Sequence, residues 1–218
     1  MKKLILTLLI VSSISLTACS SSSTSASNVI IPTKQTTSQI LSQPNTTKAT
    51  NISTKIDNTK TNINSSNIQY YFTRANQHPD VQLINIINSS KTNLDIAIYS
   101  LTKKSIVDAI IQAKNRNVTV RIISDKQESK SKSEKKMLTL LQNANIPIKI
   151  NTHSGLMHMK ITIIDKNIIT TGSYNYSEGA STKNDEVLMI IKDSKIAQDF
   201  ETEFNNMWND NTNYKDYN

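Results

Sequence analysis

The chain reads as an α/β protein with a mixed, largely parallel sheet and helices on both faces. From residue 68 onward, β-branched apolar runs of strand length alternate with segments whose apolar residues recur at helical spacing. Polar turn clusters separate them. Strand–helix–strand alternation argues for crossover units, whose helices cover both faces of parallel strands.

The elements follow in order. IQYYFT, from Ile68, is a strand by its aromatic and β-branched content. PDVQLINIINSSK carries an apolar stripe at Val81, Ile84 and Ile87 with Leu83 and Ile86 beside it, and Pro79 opens the helix at a position where its missing N–H costs nothing. LDIAIYSL is a buried strand, KKSIVDAIIQAKNR a helix, VTVRIIS a strand, SEKKMLTLLQNA a helix and IPIKI a further strand. The rhythm then changes to strand, turn, strand: MKITII, the turn Asp165-Lys166-Asn167, and IITTG. DEVLMII is another strand. SKIAQDFETEFNNMW closes as a helix with Ile196, Phe200, Phe204 and Trp208 four residues apart, a core stripe. No internal repeat is present.

Upstream of residue 68 the texture is different. Residues 1–18 have a cationic start at Lys2 and Lys3, an apolar run over residues 4–11, and small polar residues after it, the layout of a secretory signal. That run is too short to span a bilayer. Residues 19–67 are dominated by Ser, Thr, Asn and Gln, which cannot bury enough apolar surface to offset the entropy of ordering, so this segment is expected to be a disordered tether. As a flexible coil it averages roughly 35–40 Å end to end. The folded domain is expected over residues 68–218.

The net charge of +8 overstates the basic character of that domain. Two lysines lie in the signal and four more, against one aspartate, in the tether, which leaves +3 for the rest. A mild excess is compatible with a polyanionic substrate without requiring one.

The chemistry concentrates in HMKITIIDKNIITTGSYN, beginning at His158. Alternation along a strand puts His158 and Lys160 on one side, with Thr162 and Ile164 continuing the row. An imidazole beside a fixed ammonium is a nucleophile or proton carrier next to a positive charge, a pair suited to a phosphate. Asp165 has the opposite parity and sits at the turn, where its carboxylate is expected to bond backbone or a neighbouring side chain.

The pattern His158-x-Lys160-(x)4-Asp165-(x)6-Gly172-Ser173-x-Asn175 resembles the HKD signature of the phospholipase D superfamily, and GSYNYSEGASTKNDEV is similar to its continuation in the small single-motif bacterial endonucleases. The resemblance covers residues 68–210. It implies a phospholipase D/nuclease-like fold and a catalytic set of His158, Lys160, Asp165, Asn175 and Glu186. A histidine nitrogen attacks phosphorus, a phosphohistidine forms, and a second histidine protonates the leaving oxygen before activating water. Lys160, Ser173 and Asn175 bind the substrate's non-bridging oxygens. Glu186 falls where the resemblance places a carboxylate that orients the imidazole, with adjacent Asp185 as the other choice. The scheme needs no metal or other cofactor, and no cluster of carboxylates and histidines surrounds His158.

The mechanism uses two histidines and the chain has one HxK. A homodimer supplies the second across a two-fold axis, and the resemblance favours this. His78 and His153 are the alternatives within the chain. The expected substrate is DNA or RNA, with membrane phospholipid headgroups as the other reading. Arg74, Lys103, Lys104, Arg121 and the lysines of KSKSEKK at residues 130–136 are candidate phosphate contacts. Leu16-Thr17-Ala18-Cys19 resembles a bacterial lipobox, and Cys19 is the single cysteine. This implies lipidation at Cys19, export, and anchoring to the bacterial cell membrane on its extracytoplasmic face.

Overall fold

The computed structural model describes residues 65–218. The signal, the tether up to residue 64 and Cys19 lie outside the described residues. Among the described residues eight strands form one sheet: β1 (Ile68–Phe72), β2 (Asn93–Ile98), β3 (Thr119–Ser124), β4 (Ile148–Asn151), β5 (Lys160–Ile164), β6 (Ile168–Gly172), β7 (Val187–Ile191) and β8 (Tyr214–Asp216), in the order β1-β7-β6-β5-β2-β3-β4-β8. The helices are α1 (Pro79–Ser89), α2 (Lys104–Asn115), α3 (Lys132–Asn143), α4 (Glu178–Thr182) and α5 (Ser194–Asn209).

The sheet is mixed and carries helices on both faces, but the parallel share is smaller than expected. Parallel pairing is confined to β2–β3 and β3–β4, which α2 and α3 connect. Every other neighbouring pair is antiparallel. The reason lies in the connections. No helix separates β4 from β5, so β5 returns beside β2, and β5–β6–β7 continue as a meander. This meander inserts between β1 and β2, so the crossover through α1 joins strands that run the same way without touching.

Two cores result. Leu94, Ile96 and Ile98 of β2 with Val120 and Ile122 of β3 pack against Leu83 and Ile87 of α1, Ile106 and Ile110 of α2, and Leu138 and Leu141 of α3. On the other face Ala97, Ile123, Ile163 and Ile169 meet Ala197, Phe204 and Met207 of α5. The expected stripe of α5 is confirmed, with Ile196, Phe200 and Trp208 packed at its margin. Two elements escaped the pattern: β8, a three-residue edge strand paired to β4, and the short α4, whose N-cap Ser177 accepts from Ala180 N.

Strand directions bring one set of strand ends to one edge. The C-termini of β1, β2, β3, β4 and β6 and the N-termini of β5, β7 and β8 all lie there. Ligand sites of open α/β sheets occur outside the carboxyl ends of such parallel strands.

Candidate active site

His158 and Lys160 meet at that edge. Lys160 begins β5 and is buried at 6% exposure, while His158, two residues before it, is exposed. The Lys160 ammonium donates to the His158 carbonyl oxygen at 2.8 Å and lies 3.0 Å from Nδ1 and 3.1 Å from Nε2 of the ring. Burial pushes the ammonium below the usual lysine range, and the negative charge of Glu186 works in the opposite sense.

The loop leading into His158 is tied down by β3 and β4. The buried Asp125 carboxylate accepts from Met157 N at 2.8 Å and from Gln127 N at 2.7 Å and Glu128 N at 3.1 Å. Asn151 accepts from Lys126 N at 2.8 Å and donates to Gly155 O at 3.2 Å. None of these residues belonged to the expected site. Their signal in the sequence is weak, since an Asp after a strand reads as an ordinary turn.

Asn175 is set between two buried tyrosines. Tyr174 bonds Ser181 Oγ at 2.6 Å, Tyr176 bonds Thr162 Oγ1 at 2.6 Å, and the Tyr176 backbone bridges to Ser100 O and Thr102 N. The Asn175 Oδ1 is buried and makes no hydrogen bond to protein. Ser173 follows β6 and Glu186 precedes β7, and Ser173 is bonded to the first residue of β7: Ser173 N donates to Val187 O at 3.1 Å and Val187 N donates to Ser173 Oγ at 3.2 Å. Together with Phe72, Arg74, Ala75, Asp185 and Val187 they line a cleft of about 520 Å³.

Glu186 is near enough to act on the Lys160 charge, yet it does not hold the imidazole. Its carboxylate accepts from Asn184 Nδ2 at 3.1 Å, and the His158 ring meets Lys160 and Tyr99. Asp185 is exposed and 4.0 Å from Arg74.

Asp165 is not in the site, which corrects its place among the catalytic residues. It sits at the far end of β5, about 16 Å along the strand from Lys160. There it accepts from Lys91 N at 3.0 Å, Thr92 N at 2.8 Å, Thr92 Oγ1 at 2.9 Å and Asn93 N at 3.0 Å. With φ 52° it adopts the left-handed turn conformation that aspartate tolerates.

Several candidate phosphate contacts are also committed elsewhere. Arg121 binds Asp95 through two nitrogens at 2.6 and 2.9 Å and lies over Phe204 and Trp208. Lys103 pairs with Asp80 and Glu178, and Lys104 with Asp108. Lys130, Lys132, Lys135 and Lys136 form no ion pair among the described residues. His78 is the N-cap of α1 in a left-handed conformation, and His153 stands against Tyr214 at the β8 end of the sheet.

The family model described as "Cardiolipin synthase, PLD-like domain" matches residues 83–208. The chain belongs to the phospholipase D-like family. Members of this superfamily are phosphodiesterases. A phospholipase D of Rickettsia prowazekii is 34% identical over 118 residues, 54% of this chain and 57% of that one. A mitochondrial cardiolipin hydrolase of Chlamydomonas reinhardtii is 28% identical over 127 residues, 58% of this chain and 56% of that one. The chain thus spans a little over half the length of these curated relatives. Among solved structures, the phospholipase D family member Nuc from Salmonella typhimurium superposes with a TM-score of 0.65 at 28% identity, covering 69% of this chain and 97% of that one. NucT from Helicobacter pylori gives 0.57 at 25% identity, covering 65% and 96%.

Proposed function

We propose that the chain is a phosphodiesterase that hydrolyses nucleic-acid diesters through a phosphohistidine on His158. The observation that carries the reading is the pairing of the imidazole with a buried ammonium at an open sheet edge. A ring nitrogen attacks phosphorus in line and the P–O bond to the leaving oxygen breaks. The charge that grows on the non-bridging oxygens is met by Lys160, with Ser173 and Asn175 as donors beside it.

The leaving oxygen needs a proton, and the reading takes it from the partner subunit's His158 in a homodimer. That group then draws a proton from water as the water opens the phosphohistidine. Neither His78 nor His153 is in contact with the His158–Lys160 pair in this chain. All positive charge in the scheme comes from side chains, so no metal is assigned to it.

Nucleic acid is favoured as substrate because the domain corresponds to nearly the whole of Nuc and NucT, compact proteins of this architecture, and because lysines 130–136 lie unpaired beside the edge. The names of the curated relatives support a second reading, a phospholipase D acting on lipid headgroups. For the full chain we infer export and anchoring through a lipidated Cys19, with residues 19–67 as tether.

The test is hydrolysis by the full chain, with chelator present, of plasmid DNA, RNA, and vesicles of phosphatidylcholine or cardiolipin in parallel. DNA or RNA cleavage that His158→Asn abolishes is expected. Turnover of lipid alone overturns the substrate, retained cleavage by the variant overturns the nucleophile, and full activity from a monomer overturns the shared site.

A further inference from the structure

Tyr99 lies just past the end of β2 and was invisible as a site residue in the sequence. Its backbone N donates to Met159 O at 2.8 Å, which sets it opposite the residue between His158 and Lys160. Its ring centroid is 4.4 Å from that of His158 at an interplanar angle of 56°, and the Lys160 ammonium lies 5.0 Å from the centre of the same ring. The exposed imidazole therefore has two neighbours: an ammonium within hydrogen-bond reach of its nitrogens and an aromatic ring against its flank.

We infer that Tyr99 is a positioning residue for the His158 imidazole, holding the ring in the orientation from which it attacks phosphorus. The inference rests on the phosphohistidine reading above. Physically, an exposed histidine samples several rotamers within nanoseconds. Lys160 alone does not choose among them, because a point charge close to both ring nitrogens tolerates rotation of the ring. A tilted aromatic neighbour removes that freedom by occupying the volume the ring would sweep. It also offers a π face to whichever of the two nitrogenous groups carries positive charge during the reaction.

Burial, together with the negative charges of Glu128 in the 3-10 turn after β3, of Asp125 and of Glu134, pushes the Tyr99 hydroxyl above the usual tyrosine range. The turn is anchored by Asp125, the same carboxylate that fixes Met157 N in the His158 loop. One buried carboxylate thus fixes both the loop that carries the imidazole and the turn that carries the charge of Glu128 near Tyr99. A ring at this position, more than its hydroxyl, is what the imidazole contacts.

The experiment compares Tyr99→Leu and Tyr99→Phe in the full chain by NMR of histidine ring protons and by steady-state kinetics. His158→Asn assigns the resonance among the three histidines. In the wild type a His158 ring proton should show the ring-current displacement of an adjacent aromatic, kept in Tyr99→Phe and lost in Tyr99→Leu. On whichever diester the chain hydrolyses, Tyr99→Leu should lower kcat by about 10–100-fold with KM changed less than about threefold, as expected for misplacing a reacting group. Tyr99→Phe should stay within about threefold of wild type. Should Tyr99→Leu not fold, Tyr99→Met removes the ring while filling its volume. An unmoved His158 resonance, or an unchanged kcat, in the ring-less variant overturns the assignment. The NMR comparison decides the contact without any substrate, so a failure of the nuclease reading would not be mistaken for a failure of this one.

Discussion

Asp165 accepts a hydrogen bond from the amide of Asn93 at 3.0 Å and so ties the β5–β6 turn to the first residue of β2. Burial alone would raise its carboxyl, but the donors of Asn93, Thr92 and Lys91 outweigh this and hold it below the usual carboxylate range. Replacing Asp165 by alanine should therefore cost about 2 kcal/mol of stability while leaving kcat within about threefold. A group with a depressed folded pKa stabilises above its unfolded value, and that contribution disappears as pH falls through the folded one. Urea titrations at pH 7 and at pH 3 should show the gap between wild type and Asp165→Ala narrowing at the acid end.

Arg121 should prove structural despite its charge. Its guanidinium is bonded to Asp95, which is 1% exposed, and reaches Glu201 at 3.3 Å. Truncation to alanine strands a buried carboxylate, for which about 3–5 kcal/mol is the usual loss. If Arg121 contacted phosphates instead, the slope of nucleic-acid affinity against salt would drop by about one in the charge-removing variant Arg121→Gln. We expect the slope to stay and the unfolding midpoint to fall.

Glu134 supplies a pH dependence of stability. It is fully buried at the start of α3, accepts from Leu101 N at 3.0 Å and Ser124 Oγ at 2.7 Å, and burial pushes its carboxyl up from 4.5 to about 7. With the folded pKa raised, the stabilisation is complete below about 4.5 and is lost as pH rises through about 7. The loss between pH 4 and pH 8 is roughly 3 kcal/mol. Glu134→Gln, which retains an acceptor for Leu101 and a donor for Ser124, should flatten that part of the profile in chemical denaturation.

Gly172 ends β6 at φ 134°, and a Cβ there would lie 2.2 Å from the Val187 carbonyl oxygen. Gly172→Ala should push β6 from β7 and cost about 3 kcal/mol. Because Ser173 and Glu186 flank this contact, hydrolysis should fall further than the folded fraction measured by circular dichroism.

Much of this architecture was legible beforehand. The runs that became β1 to β7 carry β-branched periodicity of their own, and Pro79 marks the start of α1 correctly. β8 was not legible, because Tyr-Lys-Asp has no alternation to read and becomes a strand only by lying beside β4. Arg121 looked available because its partner Asp95 is 26 residues away. Tyr99 was hidden for a related reason: in the sequence it is one more residue of the run LDIAIYSL, and its place beside His158 comes from pairing with Met159, far along the chain.

By itself the sequence determined the features that depend on near neighbours: which segments are strands or helices, and that His158 and Lys160 share a side, since a period of two is a local property of an extended chain. Tertiary structure alone decided the mostly antiparallel pairing, the removal of Asp165 and Arg121 from the site, and the meeting of Tyr99 with His158. Those outcomes depend on which strands become neighbours, and that choice is made by packing and hydrogen bonding between residues far apart in the chain.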